Sequence, residues 1–344
     1  MFLLMTHQSN SSFWGNNMNV LVCGGAGYIG SNMTAVLAAA GQKPVVFDNL
    51  SKGHTDAIKG IELVKGDLAD SDLLVKTLKK YKIDAVMHFA AFIEVGESVQ
   101  QPLVYYRNNV TNTQNLLSAM ETAGVEKFVF SSSAAVFGTP KVSPIPEDAV
   151  TDPINPYGEN KLIVEKMCRY QSNTGRLKFA ALRYFNAAGA ASDGTLGEDH
   201  KPESHLIPLV IQVAMGKRDN IQIYGTDYPT PDGTCVRDYI HIEDLCAAHL
   251  LALERLDTQK ELIYNLGNGK GYSVRETIET VKKVSGRDIK TIEGPRRAGD
   301  PPSLVCDAAK AKKELGWKPR FPQLEKIVET AWRWHSEHPD GYSD

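Results

Sequence analysis

The sequence predicts an α/β protein: a doubly wound parallel sheet followed by a smaller, discontinuous C-terminal lobe. Three observations carry this. Short apolar runs alternate with helical patterns from residue 19 to residue 183. A glycine-rich turn separates the first run from the first helix. The texture then changes after Asn186 to segments rich in Gly, Asp and Pro. Regular strand–helix alternation builds a parallel sheet with helices on both faces, because each crossover is right-handed.

The elements follow in order. Residues 19–23 (NVLVC) form a continuous apolar run stopped by glycine, as a buried parallel strand requires. Residues 29–40 read as a helix of small and apolar side chains closed by Gly41. Strands are expected at 43–47, 61–64, 85–89, 127–131 and 178–183, and helices at 70–81, 105–123 and 157–172. A helix at 244–256 and a strand at 263–266 are expected to rejoin the sheet. The chain thus divides into 18–186 plus about 236–266 in one domain, and 187–235 with 267–344 in the other. Residues 1–17 turn polar after a short apolar start and lack a basic leader, so they read as a disordered extension.

At 344 residues a second lobe is expected, and 42% hydrophobic with 23% charged residues is ordinary for a globular protein. A net charge of −3 with mixed signs gives no electrostatic reason to bind nucleic acid or an anionic membrane. The five cysteines are scattered without C-x-x-C spacing, which predicts buried thiols in a reducing cytoplasm rather than disulfides or a zinc centre. No metal is called for. No apolar run is long enough to span a membrane.

The turn reads Gly24-Gly25-Ala26-Gly27-Tyr28-Ile29-Gly30, with G-x-G-x-x-G at 25, 27 and 30 and a second glycine triplet at 24, 27 and 30. Such glycines let the chain approach a pyrophosphate, and the following helix offers free N–H groups to it. Alone the motif is weak. Here it has a strand before it, a helix after it, and Asp48 at the end of the second strand, so a Rossmann NAD site is expected. A carboxylate at Asp48 accepts from ribose hydroxyls and repels a 2′-phosphate, favouring NAD over NADP. Asp67 reads either as an adenine contact or as a local turn residue.

The strand ending Ser131-Ser132-Ser133 is followed by Tyr157-Gly-Glu-Asn-Lys161, which places Tyr157 and Lys161 on one helix face. Asn155 and Pro156 suit the N-cap and first turn. A phenol near pKa ~10 must be brought close to 7 to act as a base, at a cost of roughly 4 kcal/mol. An ammonium and a cationic nicotinamide can supply that jointly. Tyr157 is the candidate base, Lys161 its charge partner, and Ser133 the hydroxyl that holds the substrate oxygen.

With GGAGYIG, FDNL, HFAA, VGESV, YYRNNV, FSSSAAVFG, PYGENK, LRYFN, GEDH, DGTCVRDYIH, YNLG and PRRAGDP, the chain resembles UDP-glucose/UDP-galactose 4-epimerases of the extended short-chain dehydrogenase/reductase family. The resemblance runs from Met18 almost to Asp344. It implies reversible inversion at C4 through a transient 4-keto sugar with tightly held NAD, in a homodimer built on helices 105–123 and 157–172. It implies NAD contacts at Tyr28, Ile29, Asp48, Asn49, Asp67, Leu68, Phe89, Ala90, Asn108, Tyr157, Lys161 and Tyr184. It implies UDP-sugar contacts at Ser133, Tyr157, Asn186, His205, Leu206, Tyr224, Arg237, Arg297, Asp300 and Leu304. Arg237 and Arg297 suit a diphosphate clamp, since arginine presents a fork of donors.

Four stretches depart from the family pattern. HFAAFIE has Ala91 and Ile93 where many members carry Gly and a cofactor-touching Lys, and SSSAAV has Ala135 in place of Thr. Ser204-His205-Leu206 replaces paired asparagines. Leu304 stands where some members have Tyr beside the sugar 2-position, which opens room for an N-acetyl group and so for UDP-GalNAc/UDP-GlcNAc. A 4,6-dehydratase needs an acid pair after the strand-end hydroxyl, where this chain has Ala134 and Ala135. A non-catalytic NAD sensor and a pentose-nucleotide epimerase remain open alternatives.

Overall fold

Strand β1 (Asn19–Cys23) is buried along almost its whole length, and its neighbours on both sides are parallel strands. The computed structural model describes residues 17–297 and 300–344, so all but the last residue of the extension expected at 1–17 lies outside the described residues. After α1 (Tyr28–Ala39) come β2 (Lys43–Asp48), β3 (Glu62–Lys65), α2 (Ser71–Lys80) and β4 (Ala85–His88). The chain continues through α3 (Val95–Gln100), α4 (Pro102–Tyr105), α5 (Asn112–Ala123), β5 (Lys127–Ser133), α6 (Pro156–Asn173) and β6 (Lys178–Tyr184). Further on, α8 (Ile242–Arg255) leads into β10 (Glu261–Leu266), which pairs parallel to β6.

The large sheet therefore has seven parallel strands in the order β10-β6-β5-β4-β1-β2-β3. This is the doubly wound Rossmann arrangement expected from the alternation. Strand order reverses at β1, so a crevice opens between the C-terminal ends of β1 and β4, where such sheets bind ligands. Two apolar layers sandwich the sheet. One is built on Val20, Val22, Met33 and Leu37 with α8, and the other on Leu21, Phe47, Phe128 and Phe179 with α2, α5 and α6.

The local signals hold in detail. Asp70 accepts from the Leu73 N–H at 2.9 Å as the N-cap of α2, and Asn155 accepts from the Gly158 N–H at 2.9 Å as that of α6. Pro156 occupies the first turn. The expected helix 105–123 is different: a π-helical stretch Tyr106–Thr111 interrupts it between α4 and α5. Wide turns of this kind often sit at functional sites, and this one has a fixed purpose. Asn109 inside it accepts from the Phe92 N–H at 2.8 Å and donates to the Phe92 carbonyl at 2.9 Å, tying down the loop after β4.

Most of the remaining elements form the second lobe. They are β7 (Asn186–Ala188), α7 (Leu206–Ala214), β8 (Ile221–Tyr224), β9 (Val236–His241), β11 (Gly271–Ser273), α9 (Val274–Ser285), β12 (Thr291–Gly294), β13 (Ser303–Leu304) and α11 (Leu324–Glu337), whereas α10 (Ala309–Leu315) packs on α8 and β10 of the larger lobe. Strand β9 pairs with β7, β11 and β13, so it lies in the smaller sheet, whereas α8 and β10 complete the larger one. Ile207, Val210, Ile211, Ile223, Ile278, Leu324 and Val328 fill the core of this lobe. A buried hydrogen bond from Tyr28 Oη to the Gly189 carbonyl, 2.7 Å, links α1 to it. Among the described residues no helix is long and apolar enough to cross a membrane.

Candidate active site

The glycine turn sits at the crevice. Gly24 has φ +74°, and a Cβ there would lie 2.5 Å from the Ala90 nitrogen; one on Gly30 would lie 2.0 Å from the Gly24 carbonyl. These two glycines are needed for the protein to pack on itself. Gly27 is different: a Cβ on it would meet only the Gly24 oxygen, at 3.5 Å. Its backbone is extended (φ −80°, ψ 176°) and any residue can adopt it. Space is thus left beside Gly27 at the N-terminus of α1, where N–H groups and the helix dipole favour a pyrophosphate.

Asp48, at the end of β2, is nearly buried and accepts from the Ala26 N–H at 3.0 Å and the Leu50 N–H at 2.8 Å. Burial pushes its carboxyl up, while these two amides pull it back. Asn49 Nδ2 donates to Asp67 Oδ2 at 2.8 Å, and Asp67 Oδ1 also accepts from the Ala69 N–H at 2.8 Å. Asp67 thus takes the local turn role, and it also holds the Asn49 side chain. Leu68 is buried beside it. Phe89 and Ala90 both donate backbone N–H to the Cys23 carbonyl, at 2.8 and 3.1 Å, which holds them against Gly24. Asn108 Nδ2 donates to Asn109 Oδ1 at 2.9 Å. Ile29 and Ile93 are half-buried.

The in-register pairing of β5 with β6 sets Ser133 opposite Tyr184 at the C-terminal end of the sheet. Lys161 is buried, and its Nζ donates to the Ser131 carbonyl at 2.7 Å. That Nζ lies 5.7 Å from the centre of the Tyr157 ring. Burial pushes Lys161 down to about 7. Burial pushes Tyr157 up, and the Ser133 hydroxyl beside it pulls the other way. Tyr184 Oη meets Ser131 Oγ. The protein's own groups thus bring Ser133, Tyr157, Lys161 and Tyr184 together, but leave the phenol above its ordinary range.

Three supports escaped the sequence reading. Glu165, one turn after Lys161, is buried and accepts from Arg183 Nε at 2.9 Å, Arg183 Nη2 at 2.6 Å and Ser132 Oγ at 2.5 Å. The signal was a glutamate on an apolar helix face and an arginine inside a buried strand. Ser98 Oγ accepts from the Tyr157 N–H at 3.3 Å. His88, between Phe128 and Phe130, contacts Thr113 at 2.8 Å; burial, then Lys161, holds it down at about 3.

On the facing lobe, Arg237 Nη2 donates to Asp300 Oδ1 at 2.9 Å, and Nη1 donates to the Pro301 carbonyl at 2.9 Å. The Arg297 guanidinium lies 4.2 Å from the centre of the Tyr224 ring. Leu304 pairs with Arg237 in register and packs against the apolar cluster of Ala134, Val136 and Phe137. Asn186 opens β7, and Leu206 is the first residue of α7 after His205. The His205 imidazole turns onto Glu198, leaving its backbone at the helix start.

The profile of the NAD dependent epimerase/dehydratase family matches residues 20–267. The chain belongs to this family. A UDP-glucose 4-epimerase of Halalkalibacterium halodurans is 51% identical over 95% of this chain and 98% of its own. The crystal structure of UDP-glucose 4-epimerase from Brucella ovis in complex with NAD is 48% identical, with a TM-score of 0.89, over 92% of this chain and 98% of that one. The UDP-Glc/GlcNAc 4-epimerase of Campylobacter jejuni is 43% identical, with a TM-score of 0.81, over 93% and 99%. The family match covers the large sheet with its glycine turn and the Tyr157/Lys161 pair, so the NAD dependence of the family falls on the crevice just described. Residues there fit the dinucleotide: room beside Gly27, a carboxylate at the end of β2, and a hydroxyl–phenol–ammonium group at the far end of the crevice.

Proposed function

We propose that this protein interconverts UDP-galactose and UDP-glucose by inversion at C4, with NAD retained through the cycle. The observation that carries this is the convergence of Ser133, Tyr157 and Lys161 at the mouth of a dinucleotide crevice, in a chain about half identical to UDP-glucose 4-epimerases over nearly its full length. The larger lobe holds NAD and the smaller one the UDP-sugar. The residues expected to touch each are those brought to the two sides of the crevice.

Ser133 holds the O4 hydroxyl, and Tyr157 Oη takes its proton. Lys161 stays within reach of the developing phenolate, fixed by its bond to Ser131. Bound NAD supplies an acceptor for the C4 hydride, a donor for its return, and a positive ring beside Tyr157. The same Tyr157 Oη gives the proton back to O4 once the 4-keto sugar has turned its other face. Arg237 and Arg297 clamp the diphosphate, and Asp300, already paired to Arg237, orients one of them and accepts from a hydroxyl. Incubating purified protein with UDP-galactose and no added NAD tests the reading. UDP-glucose is expected; a released 4-keto-6-deoxy sugar or no turnover even with added NAD overturns it.

A second substrate pair is favoured by Leu304. Its side chain packs against the apolar cluster of Ala134, Val136 and Phe137 that follows the strand carrying Ser133, and it is shorter than a tyrosine, which leaves room at the sugar 2-position. UDP-GalNAc and UDP-GlcNAc are therefore expected substrates. A kcat/KM for UDP-GalNAc more than about 1000-fold below that for UDP-galactose, beyond what one missing apolar contact explains, removes this pair. Five free, buried cysteines support a reducing, cytoplasmic setting.

A further inference from the structure

Between β7 and α7 the chain places Glu198, His200, Glu203 and His205 so that one donor atom from each lies within 4.8 Å of all the others. None of the four takes part in the proton transfer. His200 Nδ1 is 3.2 Å from Glu198 Oε1 and 3.8 Å from Glu203 Oε1. His205 Nδ1 is 3.8 Å from Glu203 Oε1 and also faces Glu198 Oε1. The two imidazoles stand edge to face with centres 5.4 Å apart. Both carboxylates are buried, with side chains 3% and 4% exposed.

We propose that these four residues form a binding site for one divalent transition metal ion, zinc by donor type. Imidazole nitrogen and carboxylate oxygen are both zinc ligands, and four such donors suit its tetrahedral preference. With bonds of about 2.0–2.1 Å, the edges of a tetrahedron of ligands are about 3.3–3.4 Å. The separations of 3.2 and 3.8 Å lie close to that value, and the tighter His205–Glu198 contact has to open to admit the ion. The direction of the histidines adds a second argument. Both turn Nδ1 toward the same Glu198 oxygen, so two nitrogens and two carboxylates converge on one point, as the ligands of a single ion do. One divalent ion can satisfy both nitrogens and both acids at once.

The surroundings suit a closed, structural site. Glu203 is held by the backbone N–H groups of Ser204 and His205, at 2.7 and 2.9 Å. Four ligands within eight residues staple the loop that starts α7, where Leu206 faces the substrate side. Ser204 Oγ donates to Glu94 Oε1 at 2.8 Å, which joins the staple to the loop after β4. The five cysteines are buried elsewhere and contribute no ligand. The proposal stands independently of the epimerase reaction, because its readout is metal rather than turnover.

The test uses the full chain, stripped with a chelator and then dialysed against zinc or cobalt(II). One zinc per chain is expected by elemental analysis. Cobalt should give the intense visible bands of a tetrahedral ion, without the near-ultraviolet band that a thiolate ligand adds. His200→Gln, which keeps the side-chain volume, is expected to lose the ion while circular dichroism and NAD binding report an intact fold. If the wild type retains no zinc, or if His200→Gln retains as much, the site is not a metal centre and the cluster is a protonated ion-pair group.

Discussion

At the scale of single residues, the glycine turn separates what the fold needs from what the cofactor needs. Gly30→Ala drives a Cβ to 2.0 Å from a backbone oxygen, so the turn must open. We expect it to lower Tm and abolish NAD binding together. Gly27→Ala has room within the protein and an ordinary backbone conformation. It is expected to unfold at nearly the temperature of NAD-free wild type and yet purify without NAD. Equal Tm losses for the two variants would show that the space beside Gly27 is not reserved for a ligand. Lys161 offers a test with a pH axis. Burial holds its folded pKa at about 7, below the ordinary lysine value of 10.5, so the unfolded chain binds more protons between those values. Stability should therefore rise with pH across that window, and Lys161→Met should remove the rise. The same variant leaves Tyr157 under the upward push of burial. Its kcat at neutral pH should fall by about 10²–10⁴-fold, and the ascending limb of its pH profile should move to higher pH.

At the scale of elements, α6 ties chemistry to packing. One helix face carries Tyr157, Lys161 and Glu165 at successive turns, and Glu165 meets Arg183 across to β6 with both side chains nearly sealed from water. Removing one member strands a buried charge, so Glu165→Leu should cost about 3–5 kcal/mol in a denaturant titration. The double variant Glu165→Leu/Arg183→Met should recover much of it. Full loss in the double variant would mean that the pair does more than neutralise itself. Much of this element was legible: Asn155, Pro156 and the Tyr–Lys spacing are local signals, and the helix starts where they put it. The Glu165–Arg183 pair was not, since it joins residues from different elements and only the sheet register brings them together. The π-helical stretch at Tyr106–Thr111 was hidden for a related reason. Nothing in its local pattern differs from an ordinary helix; the demand comes from Asn109 and a loop after another strand. The parallel, doubly wound sheet, by contrast, follows from alternation and handedness.

At the scale of the whole molecule, the question is what covers the outer face of the larger lobe. The resemblance points to a homodimer through helices 105–123 and 157–172. The exposed positions of α5, such as Gln114, Ser118 and Glu121, are polar. The apolar exposure lies just before it: Val95, Val99, Leu103 and Val104 are 43%, 61%, 80% and 46% exposed on α3 and α4. Tyr170, on α6, is 74% exposed. Apolar side chains gathered like this mark contact surfaces more often than a free monomer face. Fully burying a leucine is worth about 1.5–3 kcal/mol. We therefore propose a dimer seated on α3, α4 and α6, and expect sedimentation velocity to give twice the chain mass for the wild type. Leu103→Glu adds a charge at the most exposed apolar position, so it should shift the boundary to the monomer at low concentration. The proposed catalytic residues Ser133, Tyr157 and Lys161 all come from one chain, so the monomer should keep NAD and turn over. A monomeric wild type removes the dimer, and a Leu103→Glu variant that stays dimeric moves the interface away from α4.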